Sequence, residues 1–250
     1  MVSVTFFLVS RTHVRWVSDS RLFRVRTGSN EIFIARRSRL THYILGVEYH
    51  FRRLAEQYGL SNVPLRDGAL SVDVGANVGE FGSILSQSGL RVTAFEPDPT
   101  DFRALEMNVP RATRHPIALW SHETELDLYL ANDTGDTSLF RPAEGYSGAT
   151  RVRTSTLDKL LREEDLSERI QVLKLEAEGA EPEVLLGGIN TLKRTEWVLA
   201  DLGFERGPGG DSTLPQAVSI LIALGFTLVD IKPPRLVAVF KNSALLGGEV

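Results

Sequence analysis

The chain of 250 residues contains no cysteine. Disulfides, thiolate metal centres and a thiol nucleophile are therefore excluded, and a reducing, cytoplasmic setting fits. Long apolar runs are missing too. The stretch at residues 2–9 is too short to span a bilayer, and no basic segment precedes it. Neither stable membrane insertion nor a secretory signal is expected; its Val, Thr and Phe content makes it a β-strand candidate instead. Positive charge is not in excess: 28 Lys and Arg stand against 32 Asp and Glu, and the pI is about 5.8. No global basic field would draw the chain to nucleic acid. Internal repeats and the Gly-x-Ser-x-Gly elbow of the hydrolases are absent. Of His13, His42, His50, His115 and His122, none stands at a metal-ligand spacing from another.

The informative segment is residues 70–96. An apolar run ends in Asp73, turns through Gly75 and Gly79 into a short helix, and returns as a second apolar run ending in Glu96. Gly75 permits a sharp turn close to a ligand. A helix opening near Gly79 would present free N–H groups to a carboxylate or phosphate. Glu96, at the tip of the next strand, would accept both hydroxyls of a ribose. A nucleoside-containing cofactor follows. In the dinucleotide fingerprint a second glycine lets the backbone approach a pyrophosphate; here that position is Asn77. S-adenosylmethionine (SAM), which has no phosphate, fits better than NAD(P), and Asp73 would attract its cationic amine.

Around this unit, residues 1–40 alternate as two or three short strands with a turn at Ser29-Asn30. The cluster Arg36-Arg37-Ser38-Arg39 reads as a solvated loop or as a grip on an acidic substrate. A helix is predicted over 41–59, with Tyr43, Ile44, Val47, Phe51, Leu54, Ala55 and Tyr58 on one face. These parts form an extension, residues 1–66. Residues 67–250 form the main domain, where strands at 69–74, 91–96, 113–119, 171–176 and 196–202 alternate with helices. One helix is capped by Asp98, another is opened by Thr156, and a third starts at Pro182 and runs past Leu192. Between them, strands at 125–131 and 150–154 flank a polar insertion with Asp133, Gly135, Asp136 and Ser138. At the end, strands 226–231 and 235–240 are joined through Pro233-Pro234, too briefly for a parallel crossover, so they should be antiparallel. The expected fold is α/β: a Rossmann-like, seven-stranded class I methyltransferase sheet with an antiparallel last strand.

Four segments carry a resemblance to the FkbM family of methyltransferases. They are Val72-Asp73-Val74-Gly75-Ala76-Asn77-Val78-Gly79-Glu80, Ala94-Phe95-Glu96-Pro97-Asp98-Pro99, Thr156-Leu157-Asp158-Lys159-Leu160, and Leu173-Lys174-Leu175-Glu176-Ala177-Glu178-Gly179-Ala180-Glu181. The last departs from the family pattern at Glu176, where an Asp is usual. The resemblance implies O-methylation, often of a sugar hydroxyl in a glycan, glycolipid or glycosylated natural product. It implies a cofactor set of Asp73, Gly75, Ala76, Asn77, Gly79, Glu96, Pro97, Ala118 and Glu176.

An alcohol must lose its proton as it attacks a methyl group, so a base or a metal is required nearby. Ligands of open α/β sheets lie at the carboxyl ends of the strands. The catalytic candidates there are Glu176, Glu178 and Asp201, with Lys174 two residues before Glu176 on the same strand face. The acids also read as stabilisers of a helix N-terminus. Two or three of them would suit Mg²⁺, but no spacing assigns a metal. His122 is a further candidate base and Trp120 a candidate stacking platform. No Asn/Asp-Pro-Pro-aromatic tetrapeptide follows the fourth strand, which disfavours amino-methylation of nucleic-acid bases. An NAD(P)-dependent oxidoreductase and a non-catalytic SAM-binding protein are the competing readings.

Overall fold

The computed structural model describes residues 3–4, 11–133, 136–164, 166–233 and 235–247. Gly135, Pro234 and most of the strand expected at 2–9 lie outside them.

The chain opens with an antiparallel meander of β1 (Ser3–Val4), β2 (His13–Val17), β3 (Leu22–Thr27) and β4 (Asn30–Ile34). Val25, Ile32 and Ile34 share one buried face, Leu22 is buried on the other side with Val78 and Ala104, and Gly28 takes the positive φ needed for the turn between β3 and β4. The helix expected over 41–59 is interrupted. A 3₁₀ turn at Arg37–Tyr43 is followed by α1 (Val47–Gln57), because Gly46 adopts φ 100° between them. Tyr43, Val47, Phe51, Leu54, Ala55 and Tyr58 still turn inward, whereas Ile44 is 41% exposed.

The main domain runs β5 (Leu70–Val74), α2 (Glu80–Gln87), β6 (Arg91–Phe95), α3 (Pro99–Asn108), β7 (Thr113–His115), β8 (Ala118–Leu119), β9 (Glu125–Ala131), β10 (Tyr146–Ser155), α4 (Leu157–Glu163), β11 (Ile170–Leu175), α5 (Glu181–Leu186), α6 (Ile189–Leu192), β12 (Thr195–Asp201), β13 (Phe204–Arg206), β14 (Asp211–Ser212), α7 (Leu214–Ala223), β15 (Phe226–Lys232), β16 (Val237–Asn242) and α8 (Ser243–Leu246). Seven strands form one sheet in the order β15-β16-β12-β11-β5-β6-β7. β16 is antiparallel to both its neighbours and the other pairings are parallel. This is the class I methyltransferase architecture. Caps form as expected: Asp98 accepts from the N–H groups of Thr100 and Asp101, and Thr156 from that of Lys159.

Two further elements, both in the main domain, differ from the sequence expectation. The strand read at 113–119 breaks at Pro116, whose missing N–H cannot continue a ladder; β8 turns away and pairs with β10 in a separate three-stranded sheet. The helix starting at Pro182 splits at Gly187-Gly188. A Cβ on Gly187 would sit 2.2 Å from the Trp120 carbonyl oxygen, so the chain yields to that close approach.

Alternation along the strands sends side chains to two cores. Val172, Leu199 and Val239 face one side; Leu173, Val198 and Phe240 face the other. The first core is shared with the extension, since Val25, Ile32, Tyr43, Val47 and Phe51 pack in it with Phe81, Ile84 and Leu105. Arg36 reinforces the junction. It is nearly buried and donates to Asp98 at 2.6 Å and also to Asp101. Neither a solvated loop nor a substrate grip describes this residue; Arg39 in turn pairs with Asp136.

Candidate active site

A cavity of about 770 Å³ opens at the carboxyl ends of β5, β6 and β11 and is roofed by the 3₁₀ turn and α1 of the extension. Gly75, Ala76, Asn77, Glu96, Pro97, Ala118, Lys174, Glu176 and Glu178 all line it. Asp73, Gly79 and Asp201 do not, and each has a local reason.

Asp73 is wholly buried beneath the loop. The β5–β11 register sets it opposite Lys174, whose ammonium lies 3.3 Å from its carboxylate. It is therefore not positioned to meet a cofactor amine. Gly79 holds φ 88° at the start of α2, and a Cβ there would strike Leu105 and Val109; helix packing requires this glycine. Gly75 has a similar origin. Its Cβ would lie 1.6 Å from the Glu176 carbonyl oxygen, so the contact that demands glycine is with β11's exit rather than with a ligand.

The loop amides bear on the choice of cofactor. The N–H groups of Gly75 and Ala76 both donate to the Phe95 carbonyl, Asn77 to Glu96, Val78 to the Asn77 side chain and Gly79 to the Ala76 carbonyl. Every amide from 75 to 79 is thus engaged internally. A phosphate cradle needs amides aimed outward, and this loop has none to give. Such a loop suits a cofactor without phosphate.

Glu96 is 5% exposed, and its two oxygens accept from Asn77 N–H and Asp98 N–H at 2.7 Å each. Burial, aided by Asp101, pushes it up to about 8 against these donors. A carboxylate has about four acceptor sites, so two remain for ribose hydroxyls. Beyond it, Ile117, Ala118, Leu119 and Leu128 give the cavity an apolar end of the kind an adenine ring needs. The donor set fits SAM: Glu96 for the ribose, the apolar end for the base, and Asn77 with Glu176 toward the amino-acid part.

At the opposite wall, Lys174 donates to the Gly75 carbonyl at 2.6 Å and pairs with Asp73 and with Glu176 at 3.2 Å. Its ammonium is thus held among the exits of β5 and β11. Burial would raise Glu176, but Lys174 and Arg235 outweigh it and hold the carboxylate down at about 2. Arg235 lies 2.5 Å from both Glu176 and Asp201 and 3.6 Å from Glu205. Its guanidinium occupies the position among these acids that a Mg²⁺ would require, and it covers Asp201, which is fully buried and pushed up to about 6 by burial and by Glu176. Glu178, in the left-handed region at φ 51°, is raised by burial and by Glu205. Glu205 is raised to about 8 by burial, Asp201 and Glu176.

Sequence reasoning anticipated that the helix after residue 41 would cover a cleft, but missed Glu205, Arg235 and the polar contacts inside the roof. Arg235 arrives because β16 runs antiparallel: the pairing of Asp201 with Val237 brings the loop before β16 to the strand ends. In the roof, Tyr43 donates to Glu80, and His50 Nε2 lies 2.9 Å from the same carboxylate oxygen. Glu80, directly after the loop, was the available signal. His122 is exposed beside Ser121, outside the cavity lining, and Trp120 packs on Phe140. Neither lines the cavity, in line with the plainer readings of a solvated loop histidine and a packed tryptophan.

Comparison with known proteins gives three kinds of match. The methyltransferase FkbM domain matches residues 73–227. The hexuronic acid methyltransferase AglP of Haloferax volcanii is 30% identical over 139 residues, which cover 52% of this chain and 54% of that one; the chain thus spans about half the length of this curated relative. Among solved structures, a TehB-like SAM-dependent methyltransferase from Corynebacterium glutamicum superimposes with a TM-score of 0.42 at 15% identity, over 78% of this chain and 97% of its own. Aeropyrum pernix fibrillarin with bound S-adenosyl-L-methionine gives 0.43 at 14% identity, over 96% and 97%.

Proposed function

This chain belongs to the FkbM methyltransferase family, and we propose that it uses SAM to methylate a hydroxyl group of a sugar, free or within a glycan. SAM would supply an electrophilic methyl group. The chain's residues supply the rest. Glu96 holds the ribose, the engaged loop fixes the cofactor's path without a phosphate site, and Glu176, kept ionised by Lys174 and Arg235, borders the amino-acid end.

The acceptor's proton needs a base of matched strength. Glu176, held at about 2, is too weak, and Asp201 is covered by Arg235. We assign that role to Glu205, which lines the cavity and is raised to about 8; Glu178, also raised by burial and by Glu205, lines the same cavity. The relative named for hexuronic acid supports a sugar acceptor. The observation that carries the reading is one cavity joining a loop without outward amides to a wall of raised carboxyls.

Calorimetry with SAM, S-adenosylhomocysteine and NAD, followed by labelled-methyl transfer to a panel of sugars and glycans, tests it. SAM binding with transfer to a sugar oxygen is expected. Tight NAD binding would favour the oxidoreductase, and SAM binding without transfer to any acceptor would favour a non-catalytic protein.

A further inference from the structure

The roof of the cavity holds a grouping that the methyltransferase sheet does not require. His42 comes from the 3₁₀ turn, His50 from α1 and Glu80 from the first position of α2. One donor atom from each lies within 4.8 Å of the other two. The His50 Nε2 to Glu80 distance is 2.9 Å, and the two imidazole rings stack with centroids 5.4 Å apart, 26° from parallel. Two imidazoles bound side by side to one ion through bonds of about 2.0–2.1 Å bring their rings to this kind of separation. Tyr43, fully buried, donates to the Glu80 carboxylate and fixes its orientation, as partners of metal-bound carboxylates do.

We propose that His42, His50 and Glu80 bind a first-row divalent ion such as Zn²⁺. Two nitrogens and one carboxylate oxygen form a donor set of borderline softness. It selects Zn²⁺, Co²⁺ or Fe²⁺ over Mg²⁺ and Ca²⁺, which take oxygen ligands. Three protein ligands leave positions open, and all three residues line the cavity. Neighbouring hydroxyls of a sugar would complete the coordination there and be held over the methyl-transfer wall. That last step rests on the proposed function, whereas the metal site itself does not.

The test uses untagged full-length protein stripped with EDTA, titrated with Co²⁺ in the absence of cofactor and acceptor. The expected result is one Co²⁺ per chain, a visible d–d spectrum, and displacement by Zn²⁺ but not by Mg²⁺. His50→Ala should weaken Co²⁺ binding about a hundredfold and Tyr43→Phe about tenfold. His42→Ala, at an exposed position, should weaken it about as much as His50→Ala, with circular dichroism and the urea midpoint checking that the fold is intact. Absence of saturable Co²⁺ binding, or wild-type Co²⁺ affinity in both histidine variants, would overturn the site. A protein that binds Co²⁺ as described but methylates no sugar retains the metal site and loses the proposed function.

Discussion

At the residue scale, Glu96 carries most weight. It ties the Asn77 and Asp98 amides while lining the cavity, so its charge state and the loop's shape are linked. On the proposed function its ionised form would accept from ribose hydroxyls, and its carboxyl is raised to about 8. SAM affinity should therefore rise with pH up to about 8, by at most about tenfold per unit, and level off above it. Glu96→Ala should weaken SAM by about 1.5–3 kcal/mol, the scale of a hydrogen bond to a charged group, and abolish the pH dependence. Calorimetry of both proteins from pH 6.5 to 9 checks this; parallel profiles would remove Glu96 from the ribose site. Glu205 governs a different observable. Glu205→Gln should lower kcat by about 10²-fold or more with SAM binding unchanged, and wild-type kcat should rise with pH toward the same region near 8. Near-wild-type turnover in that variant would rule out the base. Glu96 was legible in the sequence because its geometry is local, one strand tip beside one loop. Glu205 and Arg235 were not, because only the register of β16 against β12 brings Arg235 to the strand ends.

At the element scale, the extension behaves as part of the core. The helical periodicity of α1 was readable, and so was its inward face. The break at Gly46 and the burial of Arg36 were not, since each depends on elements distant in sequence. Arg36 is the residue through which to test the junction. Removing it would leave Asp98 and Asp101 buried without their cation, and breaking a buried pair from one side costs about 3–5 kcal/mol. Arg36→Ala should show that loss in urea denaturation. An effect below about 1 kcal/mol would place the stabilisation in the apolar contacts alone. Deleting residues 1–66 should expose the core face of α2 and the sheet, seen as aggregation or loss of SAM binding. A monomeric, SAM-binding truncation would make the extension a separable module.

At the scale of the whole molecule, the strand order and the antiparallel end follow from alternation and one short connection, which is why the sheet was readable. The two departures from the expected elements, the strand break at Pro116 and the helix split at Gly187, follow from backbone chemistry at single residues. The charge distribution has its own global signature. Glu96, Asp101, Asp201 and Glu205 are all raised, by burial first, to between about 6 and about 8. Between the ordinary carboxylate range and those values the folded state binds more protons than the unfolded one, so stability falls as pH rises from about 5 to 8. Glu176 works in the opposite sense: held at about 2, it stabilises above the ordinary range, and that contribution disappears on acidification toward 2. Thermal unfolding should therefore show its highest midpoint near pH 5, with a decline on both sides. A midpoint that climbs steadily from pH 5 to 8 would contradict the assigned burial of these acids.

The hairpin that delivers Arg235 also sets a schedule for synthesis. Glu176, Asp201 and Glu205 leave the ribosome before the guanidinium that reconciles them. Until β16 takes its place between β12 and β15, Lys174 faces Glu176 while the acids that follow still lack their arginine. The carboxylate wall is therefore completed only once Arg235 has followed its acids out of the ribosome.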